Sequence, residues 1–284
     1  MMRRRTVPFL GGHGGFSRLS YAEWGDPANP RVLVCVHGLT RNARDFDFLA
    51  RELSEHYRVI CPDLPGRGDS DWLILKNNYC LPVYVQVMST LLARLDVDRV
   101  DWLGTSLGGL IGMTLAATPG NPINRMVLND IGPFLPEAAL RRIASFVGTD
   151  PRFETLEEGE AYLHEALGNF GIHEAAHWGH VVESSIRPAA DGGGFRLHYD
   201  PGIAVVFSDP ASLKDVDIWP VWDAISCPVL LLRGAESDLL SVETAAEMTR
   251  RGPKADLIEF PGCGHAPALF DPMQIAVVKD WLVG

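Results

Sequence analysis

A serine lies between two glycines in the stretch VDWLGTSLGGLIG, residues 100–112. An apolar, strand-like run ends just before Ser106, and a helical run of small and apolar residues begins just after it. A serine at positive φ in so sharp a turn would bring the strand and the helix close together, so that side chains two positions before and after it would collide. Gly104 and Gly108 occupy those two positions. The pattern predicts a nucleophilic hydroxyl at a helix N-terminus, where backbone N–H groups favour developing negative charge. A serine that only caps a helix would give a similar local pattern.

Other candidate catalytic residues follow other strand-like runs. His265 comes after ADLIEF, Asp238 comes after CPVLLLRG, and Asp130 ends INRMVLND. The carboxyl ends of parallel strands meet at one edge of a sheet, which brings these side chains towards Ser106. His265 can accept the proton of the serine hydroxyl, and an acid can hold the imidazole in the required tautomer. We predict Asp238 as that acid, with Asp130 as the alternative.

A second motif indicates a different class of enzyme. His173, Glu174 and His177 match H-E-x-x-H, in which two histidines four residues apart on one helix bind Zn²⁺ and the glutamate acts as base. His180 would be a third candidate ligand. Several glycines near this motif favour only a short helix, which weakens the zinc interpretation. We therefore predict no metal site, and we keep a zinc-dependent hydrolase as an alternative.

Alternating strand and helix patterns are the elements that must position these groups. Their order predicts an α/β fold with a mostly parallel central sheet of about eight strands and helices on both faces. The alternation breaks after the sixth strand, where nearly a hundred residues precede the next strand-like run. We interpret this insertion as a helical cap over the strand ends. The predicted organisation is a core at 1–133, a cap at 134–220 and a second part of the core at 221–284.

Composition excludes several classes of partner. The chain has 284 residues, of which 46% are hydrophobic and 21% charged, as in a folded protein with a sizeable core. Its formal net charge of −11 argues against nucleic acid or an anionic membrane as a partner. Five cysteines without a C-x-x-C motif, and no apolar run of signal-peptide or membrane-spanning length, favour reduced thiols in a cytoplasmic protein. The sequence does not predict an oligomeric state.

Taken together, the motifs resemble the α/β-hydrolase superfamily, in its cap-bearing, esterase-like branch. The resemblance covers almost the whole chain. It depends on these segments: HGLT, CPDLPGRGDSD, GTSLGG, LNDIGP, LLRGAESD and GHAP. The order of serine, acid and histidine along the chain also agrees with this fold.

The resemblance implies further roles around the serine. The oxyanion hole would consist of the backbone N–H groups of Leu107 and Leu39. His37 would shape the loop that carries Leu39 and would not act as a base. Candidate pocket residues in this loop and beside the serine are His37, Thr40, Arg41 and Thr105.

The expected reaction is hydrolysis of a small or medium apolar carboxylic ester, without a cofactor. A serine at the nucleophile position disfavours dehalogenase and epoxide hydrolase chemistry, which use aspartate there. A lactone, an amide or a carbon–carbon bond is the alternative target of the same residues. A non-catalytic ligand receptor on this fold is also an alternative. Aromatic residues of the predicted cap supply candidate apolar walls and core: Phe146, Phe153, Phe170, Trp178, Phe195 and Trp219.

Overall fold

An eight-stranded sheet forms the centre of the protein. The computed structural model describes residues 1–12 and 14–284. The strands of these residues are β1 (Arg3–Leu10), β2 (Phe16–Trp24), β3 (Val32–Val36), β4 (Arg58–Pro62), β5 (Val100–Thr105), β6 (Ile123–Asn129), β7 (Phe134–Leu135), β8 (Arg152–Phe153), β9 (Ile186–Pro188), β10 (Phe195–Leu197), β11 (Val216–Asp217), β12 (Val229–Gly234) and β13 (Asp256–Phe260). The central sheet has the order β1-β2-β4-β3-β5-β6-β12-β13. β2 pairs antiparallel with β1 and β4, and the remaining neighbours are parallel. The predicted, mostly parallel sheet is confirmed.

Helices cover both faces of the sheet because its inner strands are apolar on both sides. In β3, Val34 packs into one core while Leu33 and Cys35 pack into the other, as the two-residue period of a strand requires. α1 and α9 contribute to the core around Leu33, and α2 and α3 contribute to the opposite core. Among the residues described, no helix is long and apolar enough to cross a membrane. The helices are α1 (Asp47–Leu53), α2 (Leu81–Arg94), α3 (Leu107–Ala116), α4 (Glu137–Phe146), α5 (Leu156–Leu167), α6 (Ala175–Ser185), α7 (Trp219–Asp223), α8 (Val242–Met248) and α9 (Pro272–Val283), with 3₁₀ helices at Ala43–Phe46, Lys76–Asn78 and Pro201–Phe207.

A long insertion follows β6, the sixth strand of the chain. We refer to residues 134–223, from the start of β7 to the end of α7, as the insertion. It contains α4 to α7 and also two small sheets, with the strand orders β8-β10-β9 and β11-β7. The insertion is therefore not purely helical, whereas the sequence predicted a helical cap. The strands were missed because runs of two or three residues carry too little periodicity to be recognised. The predicted limits at 134 and 220 fall at the start of β7 and within α7.

Candidate active site

Ser106 lies in a strained turn between β5 and α3. Its φ is 51° and its ψ is −113°, a conformation that non-glycine residues rarely adopt. A Cβ atom added to Gly104 would lie 2.4 Å from the carbonyl carbon of Gly108, and one added to Gly108 would lie 2.0 Å from the carbonyl oxygen of Val36. Larger residues at either position would push the strand and the helix apart. The steric reason predicted for the two glycines is confirmed.

A chain of hydrogen bonds joins Ser106 to His265 and Asp130. The distance from Ser106 Oγ to His265 Nε2 is 2.9 Å, and the distance from His265 Nδ1 to Asp130 Oδ2 is 2.7 Å. A carboxylate only accepts hydrogen bonds, so Nδ1 carries the proton and Nε2 accepts from the serine hydroxyl. The side chain of Asp130 is 0% exposed and that of His265 is 10% exposed. The histidine is thus held in the tautomer that can remove a proton from Ser106.

Asp130, the alternative acid of the sequence analysis, occupies the position next to the histidine. Its Oδ1 accepts from the backbone N–H of Gly234 (2.8 Å), and its Oδ2 also accepts from Ser237 Oγ (2.6 Å). Asp238 instead forms an ion pair with Arg142, and its side chain is 46% exposed. The structure contradicts the prediction that Asp238 orients His265. In the loop after β12, Ser237 points inwards and Asp238 points outwards.

The loop that carries His265 is attached to the insertion by its backbone. The N–H of Gly264 donates to the carbonyl of Asn169 (2.6 Å), and the N–H of Ala268 donates to the carbonyl of Phe170 (3.0 Å). These two bonds bracket His265 in the chain. The insertion therefore helps to position the histidine.

Two buried side chains fix the loop that carries Leu39. His37 Nδ1 donates to the carbonyl of Gly38 (2.7 Å), and His37 Nε2 accepts from the N–H of Leu64 (2.9 Å). Arg67 Nε donates to the carbonyl of Leu39 (2.8 Å). Because the N–H and C=O of a trans peptide point in opposite directions, the N–H of Leu39 faces away from His37.

Ser106 opens onto a cavity of about 420 Å³. The predicted pocket residues Thr40, Arg41 and Thr105 line this cavity, together with Leu39 and His265. Most of the wall is apolar, and its apolar members from the insertion are Leu135, Leu140, Ile143, Phe146, Val147, Ala166, Leu167, Phe170, Ile203, Val206, Phe207 and Val216.

A comparison with known protein families agrees with the strained serine turn at the carboxyl end of β5. The model of the alpha/beta hydrolase family matches residues 33–278. The chain belongs to the α/β-hydrolase family. The prediction of an enzyme of this superfamily is thereby confirmed.

Relatives of this α/β-hydrolase cover nearly its full length. A 3-hydroxybutyrate-oligomer hydrolase from Cupriavidus necator is 49% identical over 276 residues, which are 95% of this chain and 94% of that protein. A solved hydrolase from Rickettsia typhi has a TM-score of 0.91 at 32% identity and covers 100% of this chain and 99% of its own. An alpha/beta hydrolase from Novosphingobium aromaticivorans has a TM-score of 0.87 at 38% identity, with 99% and 98% covered.

His37 is buried behind the loop of this α/β-hydrolase and is not a wall residue of the cavity. It is 0% exposed, so its inclusion among the pocket candidates was wrong. Burial lowers the pKa of His37 to about 3, despite the bond to the Gly38 carbonyl. The ring is therefore neutral near pH 7, with its proton on Nδ1, and it braces the loop as the family resemblance implied.

This buried histidine predicts a specific loss of stability in acid. Its pKa is about 6.5 when unfolded and about 3 when folded, so between these values the unfolded chain binds the additional proton. The free energy of unfolding should therefore fall by about 1.4 kcal/mol for each pH unit below 6.5, from this group alone. The test is urea unfolding of the wild type and of His37→Asn at several pH values from 7 to 4. The free energy of unfolding should fall less steeply with decreasing pH in the variant. Equal slopes would mean that His37 is not held neutral.

The histidines of the H-E-x-x-H motif do not lie on one face of a helix. α6 begins at Ala175, so His173 precedes the helix, and Glu174 has extended backbone at its N-cap. His177 and His180 pack edge-on against Phe48, with ring centroids 4.8 and 5.0 Å away. In the described part of the chain, no group of three potential ligand side chains is arranged to hold a metal ion. The two histidines on α6 instead pack the insertion against the core.

Sequence reasoning missed several residues that support the site. Ser237 holds Asp130, Arg67 holds the Leu39 loop, and Asn129 Nδ2 donates to the carbonyl of Pro267 (2.9 Å) beside the histidine. Arg67 lies within a segment quoted for the family resemblance, so a signal for its importance was present. Ser237 and Asn129 also lie within such segments, LLRGAESD and LNDIGP, but each stands beside an aspartate that was the more conspicuous candidate.

Proposed function

We propose that this α/β-hydrolase cleaves carboxylic esters through an acyl-enzyme on Ser106. The observation that carries the proposal is the hydrogen-bond chain from Ser106 through His265 to the buried Asp130, which opens onto an apolar cavity. A free serine hydroxyl is a weak nucleophile near neutral pH, and a neutral imidazole within hydrogen-bond distance is the base that it requires. Asp130 stabilises the imidazolium that forms when His265 accepts the proton.

In the proposed mechanism, Ser106 Oγ attacks the ester carbonyl while its proton moves to His265 Nε2. The carbonyl oxygen becomes an oxyanion, which the N–H groups of Leu107 and Leu39 stabilise. Leu107 is the first residue of α3, so its N–H lacks a partner within the helix. The imidazolium then protonates the departing alcohol. Water repeats the sequence with His265 as base, which releases the acid and restores the serine.

We further propose oligomers of a short hydroxy acid, such as 3-hydroxybutyrate, as the substrate class. The support is the 49% identical relative from Cupriavidus necator, whose name specifies 3-hydroxybutyrate oligomers. Such an oligomer is a chain of esters with short aliphatic units, and the apolar cavity walls suit those units. The insertion acts as a lid that supplies these walls and excludes water from the reacting ester.

The purified protein is expected to hydrolyse the dimer and trimer of 3-hydroxybutyrate to the free acid. The expected kcat/KM is above about 10⁴ M⁻¹ s⁻¹, the lower end of the usual enzyme range. The comparison set is p-nitrophenyl esters of different chain length, a four-membered lactone of the same acid, and the dimer with an amide in place of its ester. Chromatography of the products measures the hydrolysis of all these substrates on one scale. Faster reaction of the lactone or the amide would replace the proposed substrate class. Absence of hydrolysis throughout would overturn the proposed function.

A further inference from the structure

Of the described residues, two arginines line the cavity, and only one of them has its carboxylate partner in the cavity wall. Arg41 is 7% exposed; it donates from Nη2 to Asp45 (2.6 Å) and from Nη1 to Ser185 Oγ (2.7 Å). Asp45 also lines the cavity, so this pair adds no net charge to the wall. Arg142, on α4, lines the cavity as well, whereas its partner Asp238 lies outside the wall. Arg142 therefore brings a guanidinium to the cavity wall without bringing its carboxylate partner there.

The pairing of Arg142 with Asp238 is of a kind that is readily exchanged. The two side chains are 42% and 46% exposed, and exposed ion pairs contribute little net stability because water solvates both partners well. Arg142 uses Nε and Nη2 to contact Asp238. In the described part of the chain, its Nη1 makes no hydrogen bond to another side chain or to the backbone. A guanidinium binds any carboxylate in the same forked geometry, so another carboxylate can replace that of Asp238.

We propose that Arg142 recognises a free carboxylate at one end of the ester substrate, which it binds in exchange for Asp238. The inference rests on the proposed function and adds the residue that selects the substrate's charged end. An oligomer of a hydroxy acid has one carboxylate, at the end of its chain. The neighbouring part of the oligomer consists of ester groups and aliphatic units. The mostly apolar wall offers that carboxylate few partners, and the guanidinium of Arg142 is a cation that can bind it.

The test compares two substrates that differ only in this charge. They are the 3-hydroxybutyrate dimer and the same dimer with its terminal carboxylate converted to a primary amide. The readout is the ratio of their kcat/KM values, acid over amide. Arg142→Gln should lower this ratio by about tenfold or more, since a hydrogen bond to a charged group is lost. Arg142→Lys should retain more of the ratio than Arg142→Gln, and Asp238→Asn should raise it by removing the competing carboxylate.

Arg141 provides the matched control on the same helix. It pairs with Glu137 at similar exposure, 48% and 44%, and is not a wall residue of the cavity. Arg141→Gln should therefore leave the ratio at its wild-type value. If the wild type hydrolyses both dimers and Arg142→Gln has the same ratio, the inference is wrong although the proposed function stands. If no ester is hydrolysed, the proposed function itself has failed.

Discussion

Asp130→Asn is expected to lower kcat by about 10⁴-fold, by analogy with the same change in serine proteases. An asparagine at this position has an amide group that donates a hydrogen bond where the carboxylate accepts one. It would therefore favour the tautomer of His265 in which Nε2 carries the proton, and that nitrogen could no longer accept one from Ser106. The measurement is the steady-state rate with a neutral p-nitrophenyl ester, so that recognition of a charged chain end does not affect the comparison.

Asp238→Asn is the matched variant for this test, because the same change is made in the acid that the sequence first indicated. Asp238 contacts Arg142 at the surface, so the variant should keep at least about a tenth of the wild-type kcat. Thermal unfolding of both variants shows whether a loss of activity is caused by a loss of folded protein. If Asp238→Asn lowered kcat more than Asp130→Asn, the catalytic acid would have to be assigned to Asp238, in the loop after β12.

Ser106→Ala is expected to reduce esterase activity by about 10⁵-fold or more, as removal of the nucleophile does in a serine protease. The variant lacks the hydroxyl that is proposed to attack the ester, while the cavity and the proposed oxyanion donors remain. Alanine has a Cβ atom like serine, so the strained φ of 51° is retained and the fold should persist. Activity is measured by product release over long incubations, since the residual rate is expected to approach the background.

Ser89→Ala is a suitable control for the loss of a hydroxyl. Ser89 lies on the exposed side of α2, where its Oγ donates to the carbonyl of Val85 (2.9 Å). This variant should show wild-type activity. Substantial turnover by Ser106→Ala, with the same preference among esters as the wild type, would exclude the proposed acyl-enzyme.

The fold was predictable because the inner strands of its sheet are buried on both faces. Nearly continuous apolar runs such as β3 and β12 have every residue buried, and that pattern is visible in the letters alone. β1 was not recognised individually, since only Val7 and Phe9 of its eight residues are buried. The short strands of the insertion were missed for a related reason: their pairing depends on tertiary contacts and not on local pattern.

The candidate site was predictable only in part. Ser106 could be recognised because steric constraints impose glycines at fixed positions around it, and His265 because it follows a strand. The acid could not be assigned, since both Asp130 and Asp238 follow strands that end at the same edge. The choice depends on which side chain points inwards. That direction is set by packing around Ser237 and by the positive φ of 56° at Asp130, and neither leaves a trace in the sequence.

Labelling with a fluorophosphonate tests the central claim most directly. This reagent phosphonylates an activated serine, and peptide mass spectrometry identifies the residue that carries the label. The account predicts stoichiometric modification of Ser106, loss of esterase activity in proportion to labelling, and slow labelling in Asp130→Asn because His265 is no longer correctly oriented. Full activity after complete labelling of Ser106, or inactivation with the label on another residue, would contradict it.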